Sequence, residues 1–160
     1  MFKIKSIKST NAGISMMELV VATAVAVILA SLIFSGLTSF RRSQELSRVS
    51  SAALLSLEDA RAKTMRSEAD AQYGVHFESS RVALFKGAAY NASDVNNVYF
   101  DFPNSVEMSA ASLNGGGADV LFERLTGITA QYGTVIIRLK AYINDTKTIT
   151  IFNSGISSSN

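Results

Sequence analysis

The sequence predicts an α+β chain in which one long N-terminal helix, transmembrane in its first half and amphipathic in its second, packs on a small antiparallel β head. Three observations predict it. From Leu19 to Phe40 no residue carries a charge. Beyond Phe40, Leu46, Val49, Ala53, Leu57, Ala60 and Thr64 recur at spacings of three and four, the helical period. From Tyr73 onward that period gives way to short alternating runs separated by Gly and Asn, the pattern of strands and turns.

The first segment is the most informative. The run Leu19–Phe40 holds 22 residues; as a helix it is roughly 33 Å long, enough to cross a bilayer core of about 30 Å. It is long for the apolar region of a secretory signal, which usually holds about 7 to 15 residues. An ordinary single-pass anchor fits the length equally well. Charge does not settle the orientation: Lys3, Lys5 and Lys8 precede the run, but Arg41, Arg42 and Arg48 follow it closely, and long C-terminal domains translocate largely regardless of such residues. Ala22, Ala26 and Ala30 form a small-xxx-small ridge that permits close helix approach but is ordinary in membrane helices.

The residues before the run discriminate further. A short Lys-rich leader ends at Gly13-Ile14-Ser15-Met16-Met17-Glu18-Leu19 and passes without a break into the apolar stretch. This arrangement resembles the type IV prepilin and type II secretion pseudopilin signal. The resemblance implies a basic leader over residues 1–13, with Lys3, Lys5 and Lys8 as its basic residues, cleaved between Gly13 and Ile14 by prepilin peptidase. It also implies N-methylation of Ile14, and Glu18 as the fifth mature residue forming an assembly salt bridge with the freed ammonium of Ile14 on the preceding subunit. The residue types suit this chemistry. Gly13 has no Cβ to obstruct a protease at the scissile bond. A carboxylate near the centre of a membrane helix costs on the order of 2.5–3.5 kcal/mol and usually has a partner, although an acid in a first helical turn also gains locally from the helix dipole. Two departures from the family pattern stand out. Ile14 replaces the usual phenylalanine, and Ser35 followed by Gly36 stands where a helix-breaking proline is common.

The same resemblance implies residues 14–40 as the transmembrane assembly helix, 41–72 as its amphipathic continuation and 73–160 as the head. Arg41/Glu45 and Asp59/Lys63 are placed for i, i+4 pairs in the continuation. Strands are expected at Tyr73–Phe77, Arg81–Lys86, Val98–Phe102, Asp119–Arg124, Thr134–Ala141 and Lys147–Phe152, with Ser154–Asn160 as a frayed tail. Three segments of this region, Leu57–Lys63 leading into Tyr73–Phe77, Phe122–Gly127 and Ile149–Gly155, are similar to the GspH/FimT-like minor pilins and pseudopilins. The function so implied is a structural subunit, a minor pilin or pseudopilin, of a type IV pilus or type II secretion-like filament. A major pilin and a pilin-stemmed adhesin or DNA-capture module are the alternatives. Its implied partners are prepilin peptidase, other pilin or pseudopilin subunits, an inner-membrane assembly platform and membrane lipid. The implied location is the inner membrane, single-pass with the head outside the cytoplasm, and then a filament.

Composition narrows the classes. The chain has 160 residues and one proline, which suits one modest domain plus the apolar segment. Of 15 basic residues three lie in the leader, leaving 12 against 13 acidic ones. Tyr73–Asn160 carries six basic and seven acidic residues, so no nucleic-acid partner is expected. With no cysteine, disulfides and thiol chemistry are excluded. No cofactor, metal site or catalytic residue is expected either. His76, the single histidine, reads as a surface strand residue, and the triple glycine Gly115–Gly117 lacks the Lys-Ser/Thr of a phosphate-binding loop. Asp94, Asp101 and Asp119 lack calcium-loop spacing. Asn91-Ala92-Ser93 and Asn144-Asp145-Thr146 match the glycosylation triplet, which arises readily by chance.

Overall fold

A computed structural model describes residues 13–160, without the side chains of Phe34 and Ser35. The leader lysines Lys3, Lys5 and Lys8 lie outside the described residues. Helix α1 runs from Met16 to Met65, followed by a 3-10 turn at Glu68–Asp70 and eight strands. These are β1 (Tyr73–Phe77), β2 (Arg81–Lys86), β3 (Val98–Asp101), β4 (Val106–Leu113), β5 (Asp119–Leu121), β6 (Gly133–Leu139), β7 (Thr146–Ile151) and β8 (Ser157–Ser159). The chain divides into two compact units, Met1–Ser39 and Phe40–Asn160.

Within the second unit, the strands form two antiparallel sheets, ordered β3-β2-β1-β5 and β4-β6-β7-β8. The apolar stripe of α1 supplies Leu46, Val49, Ala53, Leu57 and Ala60 to one continuous core. The first sheet adds Val75, Phe77, Val82, Leu84 and Val120, and the second adds Val106, Val135, Ile137, Leu139, Ile149 and Ile151. Alternation explains the second sheet: Val135, Ile137 and Leu139 point inward while Ile136 and Arg138 are half-buried on the other face, as period-2 geometry requires. Of the two expected helical ion pairs, Asp59 and Lys63 meet at 2.8 Å; Arg41 and Glu45 form none among the described residues.

The second strand departs from simple alternation, since Val82, Ala83, Leu84 and Phe85 are all buried. Its inner residues face the core, and its other face is covered by the segment after Lys86. There the Tyr90 ring stacks on His76 with centroids 4.0 Å apart, and meets Phe85 edge-on at 5.7 Å. Gly74 opposes Phe85 across the strands, and a Cβ on it would lie 2.6 Å from the Phe85 ring. The glycine is what lets the ring lie flat over β1.

Several boundaries differ from the sequence expectation. The helix stops at Met65 instead of running to residue 72, because Ser67 takes a left-handed conformation, φ 50°, and the turn is held by the Ser67 N–H on the Thr64 carbonyl. Thr64 ties the helix end to the head: its buried hydroxyl donates to the Ala60 carbonyl and accepts from the Tyr73 N–H, each at 2.8 Å. Strand β3 ends at Asp101, β5 at Leu121, β6 spans Gly133–Leu139 and β7 spans Thr146–Ile151. Strand β4 is an addition, irregular between Met108 and Ala110. The expected frayed tail is ordered instead. Ser157–Ser159 pairs with Ile149–Ile151, and Ser159 shares a 2.6 Å hydroxyl contact with Ser50 of the helix.

Candidate functional site

Two regions carry candidate function, the helix start and the surface of the head. At the start, Ser15 is the N-cap of α1: its Oγ accepts from the Met17 N–H at 3.3 Å and its carbonyl accepts from the Leu19 N–H at 3.1 Å. Glu18 is then the third helical residue, so Ser15-Met16-Met17-Glu18 has the capping-box spacing. This signal was legible in the sequence and adds a local role for Glu18 beside the intersubunit one. Gly13 precedes the helix, and nothing lies within 4 Å of where its Cβ would be. Ile14 is 74% exposed. Gly13, Ile14 and Glu18 thus lie together at the start of α1. The following span is equally open. Leu19, Val20, Val21, Ile28, Leu29 and Ile33 are all more than half exposed, and α1 is long and apolar enough to cross a membrane. No other charged residue lies between Gly13 and Phe40.

In the head, a polar cluster binds the segment 87–97 to the first sheet. His76 and Asp119 are cross-strand neighbours, and His76 Nδ1 contacts Asp119 Oδ1. Glu78 accepts from Arg81 Nε at 2.8 Å and from the Tyr90 hydroxyl at 3.0 Å. Those bonds, the Arg81 one foremost, hold the Glu78 carboxyl below the usual glutamate range. Tyr90 lies above the ordinary phenol range, through its contact with Tyr99, its burial and its bond to Glu78. Tyr99 in turn donates to the Ala92 carbonyl at 3.1 Å and carries the Arg81 guanidinium over its ring at 4.4 Å. His76 is therefore half-buried and doubly engaged, not a free surface residue. Among the described residues no serine or threonine hydroxyl is bonded to its ring. No three His, Asp or Glu side chains gather to hold a metal among the described residues.

A third feature joins the three head segments singled out in the sequence. Arg61 of α1 donates from Nε to the Gly127 carbonyl at 3.0 Å, and a Cβ on Gly155 would lie 1.9 Å from that same oxygen and 2.8 Å from Arg61 Nε. Residues from Leu57–Lys63, Phe122–Gly127 and Ile149–Gly155 therefore meet at one point. Sequence reasoning gave Arg61 no role, since a lone arginine on a helix face carries no signal of its carbonyl partner.

Finally, a groove of about 620 Å³ runs between α1 and the edge strand β3. Ala52, Leu55 and Ser56 line its helical wall and Leu84, Val98 and Phe100 the sheet side, with Glu58 and Asp59 at the lining as well. Comparison with family models, with curated proteins and with solved structures gives no match.

Proposed function

We propose that this chain is a structural filament subunit, a minor pilin or pseudopilin, processed at Gly13-Ile14 and assembled through α1. The observation that carries the reading is the placement of Glu18. It is the single charged residue between Gly13 and Phe40, set in the first turn of a helix whose first half exposes large apolar side chains such as Leu19, Ile28 and Ile33. Cleavage after Gly13 would free an ammonium on Ile14, five residues from Glu18 when both are counted. In a filament, a neighbouring copy or related subunit supplies the ammonium. An apolar environment then strengthens the attraction between the two charges and makes either one costly alone. Lipid holds the helix before assembly, and helix–helix packing replaces lipid afterwards.

In this reading prepilin peptidase, an inner-membrane assembly platform and other pilin-class subunits are the partners, methylation falls on Ile14, and the head lies outside the cytoplasm. The β head supplies the surface that the filament displays. No catalytic role is assigned to it.

The experiment is Glu18→Ala, expressed with the assembly machinery. Cleavage after Gly13 persists, because the scissile bond is untouched. Entry into filaments is lost, since leaving one partner of a desolvated pair costs about 3–5 kcal/mol. Filament entry at the unaltered level would remove the pairing mechanism.

A further inference from the structure

Past Phe40 the chain turns basic on the side that carries the head. Arg41 and Arg42 follow the apolar run directly, although the positive-inside tendency favours such residues on the cytoplasmic side, and Lys3, Lys5 and Lys8 already mark the other end. The head adds to this site. The loop 140–145 between β6 and β7 is brought to the level of the arginines, since the Arg42 guanidinium lies over the Tyr142 ring at 4.0 Å. Arg42 is two residues past Phe40, about 3 Å along a helix. The loop therefore stands where the apolar run ends.

What the loop presents is the mixture of side chains suited to a bilayer surface. Tyr142 is 47% exposed and Ile143 64% exposed, an amphipathic ring beside an apolar side chain, and Lys140 is exposed next to them. The loop is also fixed in shape. The Lys140 N–H donates to the Ser105 carbonyl at 2.8 Å, and the Asp145 N–H donates to the Tyr142 carbonyl at 2.9 Å, so docking orders little that was loose. The charge stays positive when the neighbouring groups are counted. Arg41, Arg42, Lys140 and Lys147 stand against Glu45 and Asp145. Arg138 and Glu107 satisfy each other at 2.7 Å, while Arg48 on the next turns of α1 and Asp101 at the end of β3 offset one another.

Resting on the membrane-spanning part of the reading above and not on filament assembly, we infer that this basic, aromatic edge of the head is a docking site for anionic phospholipid headgroups of the bilayer that α1 spans. Arg41, Arg42 and Lys140 meet phosphate oxygens, the guanidinium groups through paired N–H bonds. Tyr142 sits at headgroup level and Ile143 reaches the top of the acyl chains. Each base held near an anionic surface is worth roughly fivefold in local binding. The contact keeps the head down on the membrane while the chain waits in the bilayer. It also accounts for two arginines on a side that the positive-inside tendency disfavours.

With no tryptophan in the chain, one introduced at a time reports its own surroundings. Full chains bearing Ile143→Trp, Leu125→Trp or Leu37→Trp, all at exposed positions, are placed in nanodiscs of phosphatidylcholine with about one third phosphatidylglycerol. Lipid composition stays constant, and bromine, which quenches tryptophan on contact, is carried near the head end of the acyl chains either by the phosphatidylglycerol or by an equal share of the phosphatidylcholine. The Ile143→Trp chain is quenched at least about threefold more by the brominated phosphatidylglycerol, and adding Arg41→Gln with Lys140→Gln makes the two quenchings equal. Leu125 stands on the turn whose Gly127 lies against Met65, roughly 35 Å from Arg42 along the helix, and Leu125→Trp is quenched by neither lipid. Leu37→Trp, inside the apolar run, is quenched by both. Equal quenching of Ile143→Trp by the two lipids, or none while Leu37→Trp is quenched, overturns the headgroup site and leaves the filament reading standing; so does a preference that survives Arg41→Gln with Lys140→Gln. Absence of quenching in Leu37→Trp means that the run does not cross the bilayer and overturns both.

Discussion

The Arg61 side chain closes a junction that no single segment of the sequence announces. Its Nε–H bonds the buried Gly127 carbonyl, and Gly155, at φ +78°, leaves the room for it. Only glycine adopts that φ without strain, and here the added Cβ would also strike a carbonyl oxygen. Gly155→Ala should therefore destabilise the head by at least about 2 kcal/mol, and Arg61→Ala by about 1–3 kcal/mol through the orphaned carbonyl, both read as shifts in the urea midpoint of the detergent-solubilised chain. A Gly155→Ala change within a few tenths of a kcal/mol would refute the close approach. Glu78 makes a prediction in pH. Its folded value is depressed, chiefly by the Arg81 bond, so its stabilising effect is present above the ordinary value of 4.5 and is lost as pH falls through the lower folded value. Glu78→Gln should flatten the acid limb of the stability–pH curve. Curves for the two proteins that stay parallel on that limb would contradict the assignment.

Among the elements, strands rich in β-formers between turn residues were legible and those held mainly by backbone pairing were not. Tyr73–Phe77 and Arg81–Lys86 are found as expected because β-formers stand between turn residues. Val106–Leu113 was missed: Ser109, Ala110, Ala111 and Ser112 are weak strand formers, and the irregularity between Met108 and Ala110 breaks the period. The helix end was missed because Ser67 takes the left-handed role that glycine usually marks. The Ser-rich end of the chain reads as a tail, yet β8 gains its order from the ladder on β7. Removing residues 156–160 should expose that edge, take away the carbonyl of Asn160 that the Thr148 N–H bonds at 3.1 Å, and cost about 1–2 kcal/mol. Amide hydrogen exchange at Thr148 is the readout: protection in the full chain and its loss in the shortened one. Equal exchange in both would mean that β8 adds no order.

For the molecule as a whole, two demands are written into one helix. Its residues from Leu46 to Thr64 bury an apolar stripe in the head core, whereas Leu19, Val20, Val21, Ile28, Leu29 and Ile33 are exposed among the described residues. By length and composition the second pattern is enough to cross a membrane. The sequence made this division plain because charge is absent from one half and periodic in the other. What the head displays was less legible, since the groove at β3 depends on Val98 and Leu55 meeting across more than 40 intervening residues. Clefts of that kind are set by tertiary packing and carry no local pattern.

Processing between Gly13 and Ile14 before assembly, as proposed, is read from the intact mass and N-terminal sequence of the membrane-extracted protein, with and without active prepilin peptidase. A start at Ile14 that depends on the peptidase is the predicted result. A start at Met1 with the peptidase active would rule out the filament-subunit reading and leave an anchored β domain with no freed ammonium for Glu18 to meet.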